Sequence, residues 1–255
     1  MTDVSRETKL DFGVTLDPLE YDLYGRFAAS PAFARVFFPP AETPRLTSSR
    51  ITGLPVGTVP WISHKRPLGA LEAADIWPRL IDQYPGRLLR WTPQHEPAPG
   101  DEAQRQDWIH QVSTLHELAV QRFPSIQVVQ VQSNYAMRWR KDTDWRRWIV
   151  PGVALGFDCY PPEYGDRFEP PPSLFGLLRE AATVAGNVPW GVPELGIDAR
   201  RKNGPSRAEW IIDCVEYLSR MGASFLGIWG KPEHRGHRYY NYSITEPDVL
   251  NLISP

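Results

Sequence analysis

Several features that would each assign this chain to a class are scarce or missing. There are two cysteines in 255 residues, Cys159 and Cys214, and neither stands in a C-x-x-C pair or at metal-ligand spacing. That count excludes a disulfide scaffold and a thiolate metal site, and two buried free thiols are expected. Charge of one sign is lacking as well, since 28 Lys and Arg face 30 Asp and Glu for a net of −2. Without a global field, neither nucleic acid nor an anionic membrane is an expected partner. No apolar run approaches the roughly 18 residues of a membrane span. The first residues, MTDVSRETKLD, have no apolar stretch of the signal-peptide kind, so the expected location is cytoplasmic, or extracellular if a leader is removed or release follows lysis. Dinucleotide and P-loop glycine motifs are missing after the first strand-like run, and no G-x-S-x-G elbow occurs.

What the chain has in quantity is proline (26) and aromatic side chains, ten each of Trp, Tyr and Phe. Proline at that frequency suggests rigid loops between regular elements, and aromatic rings on a soluble surface can serve as flat platforms for ring-shaped ligands. With 42% hydrophobic and 23% charged residues, the composition is that of a folded globular chain.

Eight short β-rich runs alternate with helical patterns. The runs are Phe12–Asp17, Ala34–Pro39, Val56–Lys65, Leu88–Glu96, Ile126–Tyr135, Val153–Tyr160, Trp190–Gly196 and Ser224–Gly230. Helical periodicity is clearest over Leu71–Gln83, Glu102–Arg122, Leu174–Ala185, Ser206–Met221 and Glu246–Ile253. Ser206 with Glu209 forms a capping-box pattern, Asp101-Glu102 puts acid at a helix start, and Gly186 and Gly222 stand where left-handed residues would end helices. Eight βα units in about 250 residues predict one domain, a single (β/α)8 barrel spanning 1–255, with 1–11 as a flexible N-terminal segment. An open doubly wound sheet is the alternative, disfavoured by the missing phosphate loop.

In a barrel of this kind, chemistry sits where strands end. The fourth run ends in Gln94-His95-Glu96 and the seventh in Glu194-Leu195-Gly196. Two carboxyls at strand ends across one mouth suit glycoside hydrolysis, in which one protonates the leaving oxygen and the other attacks the anomeric carbon or guides water to it.

His95-Glu96 at strand four, Glu194-Leu195-Gly196 at strand seven and Asp158-Cys159-Tyr160 at strand six resemble the retaining (β/α)8 glycoside hydrolases whose acid/base and nucleophile lie on strands four and seven. His-Glu rather than Asn-Glu at strand four is most similar to glycoside hydrolase family 26 and compact actinobacterial hydrolase-like relatives, over about residues 12–230. The pattern departs from family 26 after Glu96, where Pro97-Ala98-Pro99 follows. The resemblance implies Glu96 as general acid/base and Glu194 as nucleophile on a β-linked polysaccharide or oligosaccharide, with no cofactor. It further implies that His95 orients the reacting sugar, that Tyr160 hydrogen-bonds the nucleophile, and that Trp229 floors the adjoining subsite.

Other strand-end groups are candidates for binding hydroxyls: Asp17, His64, Lys65, Asn134, Tyr135 and Asp158. Trp61 and Trp91, deeper in their runs, are expected in the core. His95-Glu96 is not a zinc-protease motif, because position 99 is proline instead of histidine. Glu233–His237 carries a histidine pair without an evident third ligand, so no metal is expected. Met137–Trp148 interleaves five cations with three tryptophans, a composition open to a structural, a glycan-lining or a single-stranded nucleic-acid role, the last disfavoured by the net charge. The rival to hydrolysis is a carbohydrate-binding or cell-wall-recognition barrel without turnover.

Overall fold

In a computed structural model the eight runs close on one another in chain order. The structure describes residues 10–15, 30–39, 42–65, 69–97, 101–134, 137, 144–160, 170–196, 198, 206–230, 233–235 and 238–240. Strands β1 (Asp11–Thr15), β2 (Phe33–Phe38), β3 (Val59–His64), β4 (Leu89–Thr92), β5 (Ile126–Ser133), β6 (Ala154–Cys159), β7 (Trp190–Leu195) and β8 (Phe225–Trp229) are all parallel, and β8 pairs with β1 to complete the barrel. Around them lie α1 (Ser49–Thr52), α2 (Ala70–Gln83), α3 (Glu102–Arg122), α4 (Pro171–Val184) and α5 (Arg207–Arg220). After the barrel, β9 (Glu233–Arg235) and β10 (Arg238–Tyr240) form an antiparallel hairpin. The chain is therefore a single (β/α)8 barrel. β1 begins at Asp11, the last residue of the segment expected to be flexible. The helical pattern at Glu246–Ile253 falls outside the described residues.

The local signals act as their chemistry predicts. Ser206 Oγ accepts the Glu209 amide at 3.2 Å, and Glu209 Oε2 accepts the Ser206 amide at 2.7 Å. Asp101 accepts the Gln104 amide at 2.9 Å. Gly186 and Gly222 adopt φ of 98° and 78°, ending α4 and α5. α4 starts three residues before the predicted Leu174, because Pro171 tolerates the first helical position, where no amide donor is needed.

Because strand side chains alternate, the barrel has an inner and an outer core. Outside, α4 and α5 bury Leu174, Phe175, Trp210 and Ile211 against β6 and β7, and Cys159 and Cys214 lie buried in this layer without forming a disulfide. On the other flank, α2 and α3 bury Trp77 and Trp108 with Trp91, whose ring meets Trp77 at 5.8 Å. Inside, Phe33, Trp61 and Phe225 form an aromatic layer. Below it, Arg90 lies over all three rings at 5.1–5.6 Å and pairs with Asp11 at 2.5 Å. The described part of the Trp- and Arg-rich stretch also has internal partners. Trp148 packs on Trp108, Arg147 pairs with Glu102 at 2.8 Å, and Arg146 pairs with Glu180.

One irregularity decides where chemistry can occur. From Gly191 to Glu194 strand β7 advances three residues while β6 advances two, Gly156 to Asp158. Against β8 the same excess recurs, Val192 to Leu195 beside Leu226 to Ile228. The extra residue falls around Pro193, which lacks an amide for the ladder and suits a bulge. Strict alternation would put Val192 and Glu194 on one face. Instead Val192 and Leu195 both pack in the outer core, while Glu194 bonds Arg35 inside the barrel.

Gly227 on β8 makes room for this bulge. A Cβ there would fall well inside contact distance of the Pro193 carbonyl oxygen, which is backbone and cannot rotate away. Gly227→Ala is expected to destabilise the fold by about 1–3 kcal/mol through overpacking. Urea unfolding checks this, and an unchanged midpoint would show that the bulge is free to relax.

Candidate active site

At the C-terminal end of the barrel, one buried cation organises the side chains that carry charge. Arg35, in the middle of β2, points inward between Phe33 and Phe37 and is 1% exposed. Its Nη1 donates to Asp158 Oδ1 at 2.6 Å and to Glu194 Oε1 at 2.8 Å, and its Nη2 donates to Ser63 Oγ at 3.1 Å. The guanidinium also lies 4.9 Å from the Phe37 ring and 5.8 Å from Trp61. Burial opposes its charge, but Asp158 and Glu194 more than restore it, and its pKa rises above the ordinary arginine value. Nothing in the sequence reading singled out Arg35. The signal was an isolated cation inside the apolar run FARVFF, because a charge in a strand covered on both faces must find partners.

Glu194 is held at both oxygens. Arg35 reaches Oε1, and the Tyr160 hydroxyl donates to Oε2 at 2.6 Å. Two such donors stabilise a carboxylate. Tyr160 can lie there because position 196 is glycine: a Cβ on Gly196 would overlap the Tyr160 ring. Asp158, opposite Glu194 in the β6–β7 register, is fully buried, and its Oδ2 has no hydrogen-bond partner among the described residues. Burial pushes its carboxyl well above the usual range against the pull of Arg35, with the charges of Glu194 and Glu96 adding to the rise.

Across the mouth, β4 ends at Thr92, four residues before the predicted Glu96. The chain then turns through Gln94 and Glu96 with φ of 40° and 49°, a left-handed backbone that costs free energy in residues other than glycine. Three hydrogen bonds hold this turn. The His95 amide donates to the His64 carbonyl, the Glu96 amide to the Val131 carbonyl, each at 3.0 Å, and the Trp108 indole to the Gln94 carbonyl at 3.2 Å. Glu96 is thereby pinned between β3 and β5, partly exposed. His95 is 7% exposed, its Nδ1 lies 3.3 Å from Ser63 Oγ, and its ring meets Phe37 at 4.9 Å. Phe37 continues to Trp229 at 5.9 Å, an aromatic link that the sequence reading missed. Burial, then the charges of Arg35 and Lys65, hold the His95 imidazole well below the ordinary 6.5, with the His64 carbonyl opposing.

The structure thus gathers Asp158, Tyr160, Glu194, His95 and Trp229 around Arg35, Ser63 and Phe37, with Glu96 close enough for its charge to act on Arg35 and Asp158. His64 is not part of this cluster. It is fully buried, its ring lies parallel to Phe38, and its Nε2 is 2.8 Å from the Glu42 carbonyl. Asn134 is buried with its Nδ2 on the Leu174 carbonyl at 3.0 Å, and Lys65 is exposed. Asp17, Tyr135 and His237 lie outside the described residues. Among those described, no group of three His, Cys, Asp or Glu could hold a metal ion, and no helix is long and apolar enough to cross a membrane.

No family model matches the chain, and no curated protein does. Solved structures do resemble it. XacCel5A in complex with cellopentaose aligns over 98% of this chain and all of its own, at 10% identity and a TM-score of 0.61. An endo-1,4-β-D-mannanase from Thermotoga petrophila aligns over 96% of this chain and 97% of its own, at 13% identity and 0.54. GH26C from a Muricauda species aligns over 93% of this chain and 80% of its own, at 12% identity and 0.53. At such identities the likeness is one of fold alone.

Arg35→Met would leave Asp158 and Glu194 buried without their counter-charge, and a stability loss of about 3–5 kcal/mol is expected on chemical denaturation. His95 supplies a pH dependence. An unfolded histidine takes up a proton near 6.5, while the folded one resists, so its contribution is complete above that pH and is lost as pH falls towards the folded-state value. Unfolding free energy should therefore drop below about pH 6.5 more steeply in the parent than in His95→Gln, and parallel curves would remove His95 from the account.

Proposed function

We propose that this barrel is a retaining glycoside hydrolase acting on a β-linked glycan, with Glu194 as nucleophile and Glu96 as acid/base. The observation that carries the reading is the fixing of Glu194 at both oxygens by Arg35 and Tyr160, at the end of β7 and across the mouth from Glu96. A carboxylate so held has its rotation arrested before substrate arrives. The structural neighbours that bind cellopentaose or are mannanases support the substrate class by analogy of fold.

In the first step Glu194 attacks the anomeric carbon, the bond to the leaving oxygen breaks, and Glu96 gives that oxygen its proton. In the second, Glu96 takes a proton from water, the water oxygen bonds the anomeric carbon, and Glu194 departs as carboxylate. Arg35 remains against the oxygen whose charge is consumed and then restored, and Tyr160 steadies the other. His95, Phe37 and Trp229 form the wall on which a sugar ring would rest.

The test is product release from β-linked polysaccharides and bacterial cell-wall preparations. Glu96→Gln should lower kcat by about 10²–10⁴-fold and Glu194→Gln should abolish turnover. The anomeric proton signals of the first product should show the configuration of the substrate. Full activity in both variants would defeat the assignment. The contact of Arg35 with Glu194 favours one second reading, a glycan-binding barrel in which that carboxylate serves only structure. Binding of a glycan by the parent with no product released would select it.

A further inference from the structure

We propose that Ser63 is a positioning residue that fixes His95 as the Nε2–H tautomer, so that the mouth offers a sugar oxygen a hydrogen-bond donor beside Glu96. The inference rests on the glycoside hydrolase reading above and deepens it by naming what the site presents to substrate.

The argument is one of proton direction. Arginine donates and never accepts, so at the 3.1 Å contact between Arg35 Nη2 and Ser63 Oγ the serine oxygen is the acceptor. Ser63 is fully buried, and its other side-chain contact among the described residues is His95 Nδ1 at 3.3 Å. Were Nδ1 to carry the ring proton, Ser63 would accept from two donors and its own hydroxyl hydrogen would be buried with nowhere to go. If the hydroxyl instead donates to an unprotonated Nδ1, Ser63 accepts from Arg35 on a lone pair and gives its hydrogen to His95, and its hydroxyl is fully used. Nε2 then holds the remaining ring proton, and among the described residues no protein group hydrogen-bonds it.

The surroundings favour the same arrangement. The neutral ring is preferred, because His95 is buried and Arg35 and Lys65 act against a second proton. The competing acceptor for an Nδ1 proton is the His64 carbonyl, which also takes the His95 amide at 3.0 Å, but a ring proton given to it would leave the buried Ser63 hydroxyl hydrogen without an acceptor among the described residues. Phe37 packs on the imidazole at 4.9 Å and limits its rotation, so a ring flip that would exchange the nitrogens must displace that contact. The same serine thus joins the two halves of the site: the cation that holds Glu194 also sets, through one hydroxyl, what the neighbour of Glu96 can bind.

Long-range proton–nitrogen NMR of the ¹⁵N-histidine-labelled parent protein at neutral pH reads the tautomer directly. His95 is assigned among the six histidines by the signal lost in His95→Gln. Nδ1 in the unprotonated range and Nε2 in the protonated range are expected. In Ser63→Ala both signals should move towards the opposite tautomer, and Ser63→Thr should restore them. On a glycan the parent cuts, Ser63→Ala should reduce kcat/KM by about tenfold, with recovery in Ser63→Thr. An Nδ1–H parent, or unchanged nitrogen shifts in Ser63→Ala, overturns the proposal. The parent spectrum decides it even if a variant fails to fold. Since no turnover is needed for that spectrum, the proposal can fail while Glu194→Gln still confirms hydrolysis, and it can hold in a barrel that only binds.

Discussion

A guanidinium with almost no access to water must be answered by the protein around it, and in this barrel that demand arranges the mouth. Arg35 meets Asp158, Glu194 and Ser63 from three other strands, β6, β7 and β3. Each partner would be costly to bury alone, and so would Arg35. Together they fix the relative positions of strands that lie far apart in sequence. The cluster is therefore a structural tie across the barrel and, at the same time, the frame that holds one carboxylate still for use.

The backbone meets the same demand. Without the extra residue around Pro193, period-two alternation would send Glu194 into the outer core beside Val192, away from Arg35. Without glycine at 227 the bulge would collide with β8, and without glycine at 196 Tyr160 could not lie against the carboxylate. The turn at Gln94–Glu96 is strained in φ and held by hydrogen bonds to β3, β5 and α3. Both carboxyls thus stand at departures from regular strand geometry, which is where a regular barrel yields to function.

Much of this was legible from one sequence, for identifiable reasons. Eight apolar runs punctuated by caps and glycines announce the barrel, and Glu102–Arg122 forms a helix over those very residues. The strand-end rule points to Glu96 and Glu194, and the family resemblance to Tyr160, the residue whose hydroxyl donates to Glu194. It overextended β4 to Glu96, because a strand-like run conceals a turn whose backbone angles leave no mark in composition. Arg35, Ser63 and Phe37 escaped notice because they lie within or beside apolar runs, and their meaning comes only from neighbours supplied by other strands. His64 shows the reverse, a polar residue at a strand end whose side chain turns outward beneath Phe38.

Below the site lies the layer of Phe33, Trp61 and Phe225, with Arg90 and Asp11 beneath it. Trp61 stands 5.8 Å from Arg35 and 5.6 Å from Arg90, so one indole is in contact with both buried cations. The barrel interior thus holds two charged groups separated by aromatic rings, Arg90 answered by Asp11 and Arg35 by Asp158 and Glu194. Sequence change beside Arg90 and Asp11 acts on how the lower part of the barrel is closed, whereas change beside Arg35 acts at once on the carboxyls and on the tie between strands.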